Sequence, residues 1–171
     1  MAAKPNAKMA SSHKHRDVVV DANVLAHSDN ANSFYYVDAL ELIDWIVEQG
    51  GAVKWAMDDN GKTAPAIETS TIYAEYIGTV SPQCPALLIF QNLLSQSGRV
   101  CFADRPDQSL RNTIRKLVPR NKKDQVVLGA ACGSGSRWLV SGDLNDFPDD
   151  LRDECEDLLN VRITDCSERA A

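Results

Sequence analysis

Carboxylate side chains follow two apolar segments that lie far apart in the chain. The first segment, residues 18–23, reads VVVDAN and ends its apolar run at Asp21. The second segment, residues 138–147, reads WLVSGDLNDF and contains Asp143 and Asp146. Carboxylates gathered in one place repel one another by about 1 to 4 kcal/mol per pair at 4 Å, depending on the local dielectric. Such a group requires a raised pKa or a bound hard cation that takes oxygen ligands.

Both segments are predicted to be buried strands of a parallel sheet. Their short runs of apolar and β-branched residues are typical of strands that are covered on both faces. In an open parallel α/β sheet, ligands bind outside the carboxyl ends of the strands. If both strands belong to one sheet, Asp21, Asp143 and Asp146 project from the same edge. The pattern therefore predicts a divalent-metal site there.

The rest of the chain alternates between strand and helix patterns. Strands are predicted over residues 17–20, 52–57, 99–102, 137–141 and 161–164. Helices are predicted over residues 36–47, 86–95, 108–118 and 149–159, and from Asp124 onwards, with Asp124 as the N-cap. The segment 67–77 mixes β-branched residues with a helical apolar stripe, and we favour a helix. Strands separated by helices predict an α/β fold, a three-layer α/β/α sandwich with a mostly parallel sheet of about five strands.

Length and composition bound the class of protein. The 171 residues fit one domain, which we expect over residues 17–166, between a disordered basic arm (1–16) and a short tail (167–171). No apolar run reaches the length of a membrane span, and the N-terminus lacks the apolar region of a secretory signal. The five cysteines form no C-x-x-C pair, which favours thiols of a reducing cytoplasm over a zinc or disulfide framework. We expect a cytoplasmic protein with no membrane partner.

Each acidic residue, taken alone, also has a purely structural interpretation. Asp21 could simply begin a turn after its strand. Asp143 and Asp146 could belong to a polar loop that caps the next helix. Asp124 could serve only as an N-cap, and Glu75 could be a solvated helix residue.

The order of the acidic motifs resembles the PIN-domain nuclease family. Four motifs carry the resemblance: DANVL at 21–25, YAEY around Glu75, DQVVLGAA from Asp124, and VSGDLNDF at 140–147. The resemblance spans about residues 17–166. The chain departs from the family pattern by a longer stretch between the second strand and Glu75. Three other acids therefore compete with Glu75 for its role, namely Asp58, Asp59 and Glu68.

The resemblance implies a metal-dependent endoribonuclease that uses Mg²⁺ or Mn²⁺. It implies a ring of catalytic carboxylates made by Asp21, Glu75, Asp124 and Asp143. The implied metal ligands are Asp21, Asp124, Asp143 and, as an additional or outer acid, Asp146. Asn23 and Ser141 would orient ligands or the scissile phosphate. Many small members of the family are toxins of bacterial toxin–antitoxin pairs, so the implied partners are RNA, an antitoxin protein and a second copy of the chain.

A run of basic residues precedes Asp124. It could be a solvated helix face, which is the usual state of a charge run, or a track for phosphates. The net charge of −6 gives no bulk attraction to nucleic acid, so any binding would be local. The run comprises Arg111, Arg115, Lys116, Arg120, Lys122 and Lys123, of which the last three are the candidate substrate contacts.

Other functions fit the sequence less well. A haloacid-dehalogenase-like phosphatase places a second Asp two residues after the first, but this position is Asn23. A receiver domain requires a late Lys at a strand end, and residues 137–143 contain none. Catalysis by a histidine pair is disfavoured, because two of the three histidines lie in the arm. A catalytically silent PIN-like binding module is the remaining alternative.

Overall fold

The structure, a computed structural model, describes residues 16–59, 62, 64–142 and 144–168. Within these ranges the chain forms five parallel strands and seven α-helices, which confirms the predicted α/β fold. The strands are β1 (Asp17–Val20), β2 (Lys54–Asp58), β3 (Val100–Ala103), β4 (Trp138–Val140) and β5 (Arg162–Thr164). The helices are α1 (Ala22–Ser28), α2 (Tyr36–Glu48), α3 (Thr71–Thr79), α4 (Pro85–Leu94), α5 (Gln108–Leu117), α6 (Lys122–Gly133) and α7 (Asp149–Leu159).

Apart from Arg16, the predicted basic arm lies outside the described residues, as do residues 169–171 of the predicted tail. Two short 3-10 turns, Gly50–Ala52 and Ile67–Thr69, precede β2 and α3. No α-helix in the described ranges is long and apolar enough to cross a membrane.

The sheet is built around β1, whose three valines are completely buried. The strand order is β3-β2-β1-β4-β5, and every pair is parallel. Val19 pairs with Ala56 of β2 on one side and with Leu139 of β4 on the other. The continuous apolar sequence of β1 therefore reflects its position at the centre of a sheet that is covered on both faces.

The order of the strands defines both the layers and the position of a cleft. The chain runs from β1 to β2 to β3 in one direction and then returns past β1 to β4 and β5. Because parallel crossovers are right-handed, α2 and α4 cover one face, and α5, α6 and α7 cover the other. The reversal creates a topological switch point between β1 and β4, the place where open α/β sheets bind ligands.

The two faces of the sheet are packed differently. On the α2 and α4 face, aromatic rings meet edge to face. The ring centroids of Trp45 and Trp138 are 5.8 Å apart, and those of Phe90 and Trp55 are 4.9 Å apart. On the opposite face, α6 runs across β1, β2, β3 and β4 and is rich in small residues. Gly133 at its end approaches the loop after β3 so closely that a Cβ there would lie 1.9 Å from the carbonyl oxygen of Asp104.

Three local predictions differ from the structure. The chain passes from β1 directly into α1, which the sequence analysis left unassigned, because Asp21 accepts a hydrogen bond from the Ala22 amide and begins the helix. The prediction that Asp124 is an N-cap was wrong. Asn121 caps α6, since its Oδ1 accepts from the amides of Lys123 (3.0 Å) and Asp124 (3.3 Å). The segment predicted as one helix over 67–77 is a 3-10 turn followed by α3.

The close approach of α6 yields a first prediction. Gly133→Ala should lower the free energy of unfolding by about 1 to 3 kcal/mol, because the new methyl group meets backbone rather than a flexible side chain. Urea denaturation measures this change. Gly129→Ala is the matched control in the same helix, since its Cβ would meet only Pro106 at an ordinary 3.6 Å. An equal effect of the two substitutions would contradict the tight contact.

Candidate active site at the switch point of the sheet

Asp21 lies at the carboxyl end of β1, at the switch point. Its backbone amide donates to the Val140 carbonyl of β4 (2.9 Å), so the parallel pairing continues up to this residue. Its side chain is 7% exposed. One carboxylate oxygen accepts from the Ala22 amide (2.7 Å), and the other accepts from the Ser141 hydroxyl (3.1 Å). The carboxylate is thus fixed between the ends of two neighbouring strands.

Asn23 fastens the loop after β4 to the start of α1. Its Nδ2 donates to the Ser141 hydroxyl oxygen (3.2 Å), and its Oδ1 accepts from the Gly142 amide (2.6 Å). The prediction that Asn23 and Ser141 orient ligands or the scissile phosphate stays a prediction. In the structure they orient the Asp21 carboxylate and the loop.

His27 holds the same loop from the next turn of α1. Its Nε2 lies 2.9 Å from the Gly142 carbonyl, which only accepts, so Nε2 carries the proton. Its Nδ1 lies 2.6 Å from the Ser33 hydroxyl. A Cβ on Gly142 would lie 2.4 Å from Cδ2 of His27, so the residue after Ser141 has to be small. This role of His27 was not predicted, and its spacing of six residues from Asp21 gave no signal for it.

The environment of Asp21 disfavours its charge. The pKa of its carboxyl is raised from 3.8 to about 6. Burial is the main cause, and the charges of Glu75 and Asp146 act in the same direction, while the hydrogen bonds from Ser141 and Ala22 lower the pKa. No Lys, Arg or His in the described part of the chain forms an ion pair with Asp21. The structure thus brings Glu75 and Asp146 within electrostatic range of Asp21, as the motifs predicted.

Glu75 and Asp124 come from two helices that pack against each other, α3 and α6. The Glu75 carboxylate is 16% exposed and forms an ion pair with Lys123 (3.1 Å). Asp124 is buried in the first turn of α6, directly after Lys123. Both acids therefore lie at the same end of the molecule as the start of α6. Asp143 lies outside the described residues.

The acids that compete with Glu75 have other surroundings. Asp58 accepts three hydrogen bonds, from the Ser70 hydroxyl (2.6 Å) and the amides of Thr71 and Ile72 (both 2.9 Å). It therefore serves to begin α3 after the end of β2. Glu68 is exposed on the 3-10 turn. Asp59 borders a cavity formed with α5 and α6. Among these four acids, Glu75 is the one whose charge raises the pKa of Asp21, which favours it as the partner of Asp21.

Tyr76 is a supporting residue that the sequence analysis missed. Its side chain is completely buried, its hydroxyl donates to the carbonyl of Val20, and it accepts from Nε1 of Trp55 (3.0 Å). Burial raises its pKa well above the ordinary value of 10.0. Tyr76 therefore ties α3 to the last residue of β1, next to Asp21. An isolated Tyr in a helix gives no such signal in the sequence.

The donor set matches a hard divalent cation. In the described ranges, no three His, Cys, Asp or Glu side chains are arranged so that they could hold a metal ion together. Mg²⁺ nevertheless keeps several waters and is commonly bound through one or two carboxylates and substrate phosphates. Asp21 offers a buried carboxylate that has no cationic partner within the described ranges, and the nearby charged groups, Glu75 and Asp146, are also carboxylates. The residues therefore fit Mg²⁺ or Mn²⁺ better than a softer ion that prefers sulfur or nitrogen.

A second concave region lies beside this site, at the carboxyl ends of β2 and β3. We call it the basic cavity. It has a volume of about 560 Å³ and is bordered by α5, α6 and the loop after β3. Of the predicted substrate contacts, Lys122 lines this cavity and Lys123 forms an ion pair with Glu75. Arg120 is exposed and does not line the cavity. Arg105, which also lines the cavity, was missed because it lies outside the charge run.

In comparisons with protein-family models, curated proteins and solved structures, no match to this chain was found. The resemblance to the PIN-domain family thus rests on the motifs alone, and membership stays a prediction.

The buried carboxyl of Asp21 gives a pH-dependent prediction for metal-free protein. Because its pKa is raised on folding, the stability that it contributes is present below about pH 4 and is lost as the pH rises through about 6. Asp21→Asn should therefore be more stable than the wild type above pH 6, by up to about 3 kcal/mol. The difference should vanish below pH 4. Urea denaturation in EDTA across this pH range measures the difference in the free energy of unfolding. If this free energy changed with pH in the same way in both proteins, the raised pKa of Asp21 would be contradicted.

Proposed function

We propose that this chain is a metal-dependent endoribonuclease whose active site is centred on Asp21. The observation that carries the proposal is the placement of a buried carboxylate at the switch point of a parallel sheet, with no cationic partner among the residues that the structure describes. Glu75 and Asp146 contribute further negative charge there, and the Ser141 hydroxyl fixes the orientation of Asp21. A divalent cation would offset this charge and would recruit a phosphodiester substrate.

In this proposal the chain holds the cation through Asp21, Asp124, Asp143 and Asp146, with Glu75 completing the group of catalytic acids. When bound, Mg²⁺ or Mn²⁺ lowers the pKa of an attacking water and stabilises the charge that develops on the leaving oxygen. Asn23 and Ser141 keep the Asp21 carboxylate turned towards the cleft. The pairing of Lys123 with Glu75 is exposed on the lysine side, so Lys123 can exchange this partner for a phosphate.

The reaction is a hydrolysis. The water oxygen forms a bond to phosphorus, the bond from phosphorus to the 3′ oxygen breaks, and the water proton ends on that leaving oxygen. No covalent intermediate with a side chain is required.

The alternative as a haloacid-dehalogenase-like phosphatase is less well supported by the contacts of Asn23. Both polar atoms of its amide are engaged, with Ser141 and Gly142, and an amide cannot serve as the general acid at this position. A silent binding module would keep the fold and lose the response to metal.

The toxin role, the antitoxin and the homodimer are proposals that follow from the resemblance. Induced expression in a bacterial host tests the toxin role. Arrested growth with the wild type and normal growth with Asp21→Asn at equal levels of soluble protein are the expected results.

Cleavage of RNA by purified protein tests the proposed activity. Single-stranded RNA should be cut in the presence of Mn²⁺ and left intact in EDTA. Asp21→Asn and Glu75→Gln should each reduce the rate by at least about 100-fold, because an amide keeps the volume but removes the charge that the cation requires. Glu68→Gln is the matched control, an exposed acid that should retain the wild-type rate. Gel analysis of labelled RNA measures all four proteins.

Two results would overturn the proposal. Full activity of Asp21→Asn at saturating Mn²⁺ would remove Asp21 from the reaction. Intact RNA together with hydrolysis of a chromogenic phosphate monoester would favour the phosphatase. A parallel reaction with single-stranded DNA determines which nucleic acid is preferred.

A further inference from the structure

The basic cavity is separate from the group of acids around Asp21. Its floor is formed by the carboxyl ends of β2 and β3, with Asp58, Asp59, Ala103 and Asp104, and its walls come from α5 and α6. Its volume of about 560 Å³ lies within the range of small-molecule sites, roughly 300 to 1,000 Å³. It also lies at the edge of the sheet where α/β folds bind ligands.

Three of the four cationic side chains that line the cavity have no ion-pair or hydrogen-bond partner among the described residues. Arg105, Arg115 and Lys122 are exposed, and none of their side chains forms an ion pair or hydrogen bond with any other described residue. Arg111 is partly buried. It donates from Nη1 to the Pro106 carbonyl (2.7 Å) and from Nη2 to Oε1 of Gln108 (2.5 Å), while its buried Nε has no hydrogen-bond partner among the described residues. Four cations around one concave region match a phosphate, which guanidinium groups bind in bidentate fashion.

The remaining lining suits the uncharged parts of a nucleotide. Apolar side chains line part of the wall, namely Ala103, Pro106, Ile114, Val126 and Ala130. The carboxylate of Asp58 is already committed to three donors at the start of α3. Asp104 is exposed and supplies an acceptor for the amino group of a base or for a ribose hydroxyl. Phosphate donors, an apolar wall and such an acceptor together describe a nucleotide.

The start of α6 connects this cavity to the group of acids. Lys122 lines the cavity, the next residue, Lys123, pairs with Glu75, and Asp124 follows buried in the same turn. We propose that the basic cavity binds one nucleotide unit of the RNA strand, adjacent to the position of cleavage. This inference rests on the proposed nuclease function and adds to it a subsite that grips the strand through phosphate.

Binding of RNA without cleavage tests the subsite. The probe is a fluorescein-labelled ten-nucleotide single-stranded RNA, and fluorescence anisotropy is measured in EDTA, where the proposed reaction does not run. Arg115→Ala and Arg105→Ala should each weaken binding by about tenfold and lower the slope of log K against log salt by about 1. Lys116→Ala is the matched control, because Lys116 is an exposed member of the same charge run but does not line the cavity. It should change the affinity less than about twofold.

A second set of titrations identifies the source of the nucleotide. Uridine and adenosine monophosphates are titrated against wild-type and Arg115→Ala protein, with amide NMR shifts as the readout. Shifts confined to α5, the start of α6 and residues 103–106 that disappear in Arg115→Ala support a site for a free nucleotide as well as for the strand. Binding of the ten-nucleotide RNA alone, lost in the same variant, supports a site for the strand only.

Equal weakening by Arg115→Ala and Lys116→Ala would overturn the inference, because it would indicate diffuse attraction along the charge run. So would the absence of RNA binding by the wild type. Failure of the nuclease proposal gives a different result. RNA would stay intact with Mn²⁺ while cavity-dependent binding in EDTA persisted, and that outcome would support the nucleotide site and contradict only the cleavage.

Discussion

A buried negative charge at the end of the central strand is the constraint around which this site is organised. β1 is apolar because it is paired on both sides and covered on both faces, and it ends abruptly in Asp21. The carboxylate is desolvated there, and no cationic side chain in the described part of the chain pairs with it. The neighbouring residues stabilise the carboxylate and its loop through hydrogen bonds rather than through opposite charge. Ser141 and the Ala22 amide donate to the carboxylate. Asn23 and His27 hold the loop that carries Ser141. Tyr76 donates to the carbonyl of the last residue of β1. Such an arrangement lowers the stability of the fold when Asp21 is ionised, and in the proposed function a bound cation offsets this cost.

The start of α6 lies between two regions at the carboxyl ends of the strands, the group of acids around Asp21 and the basic cavity. On one side it presents Lys123 and Asp124 to the acids, and on the other side Lys122 to the basic cavity. This division depends on close packing of α6 against the sheet and against the loop after β3, which its small residues allow. The helix that contributes an acid to the proposed reaction therefore also forms a wall of the proposed nucleotide site. The chemistry of the two regions is complementary, because a cation would bind on one side and a phosphate on the other.

The sequence was sufficient to predict the fold and the edge of the sheet at which the acids gather. Apolar β-branched runs and helical stripes are signals of local periodicity, so the five strands were located to within a few residues. The position of Asp21 at the carboxyl end of its strand followed from the same pattern, whereas the strand order that makes this place a switch point was seen only in the structure. The contacts of His27 with Gly142 and of Tyr76 with Val20 could not be predicted, because they depend on how distant segments meet in space. For the same reason Asp58 competed with Glu75 until its three hydrogen bonds to Ser70, Thr71 and Ile72 were seen.

The most direct measurement of the central claim is the anomalous scattering of Mn²⁺ in crystals of the protein. A manganese peak should lie at coordination distance, about 2.1 Å, from a carboxylate oxygen of Asp21. The same peak should be absent from crystals of Asp21→Asn grown in the same ion. Manganese bound elsewhere in wild-type crystals, with the carboxylate of Asp21 making only its contacts to Ser141 and Ala22, would contradict the claim that this buried charge serves to hold a cation.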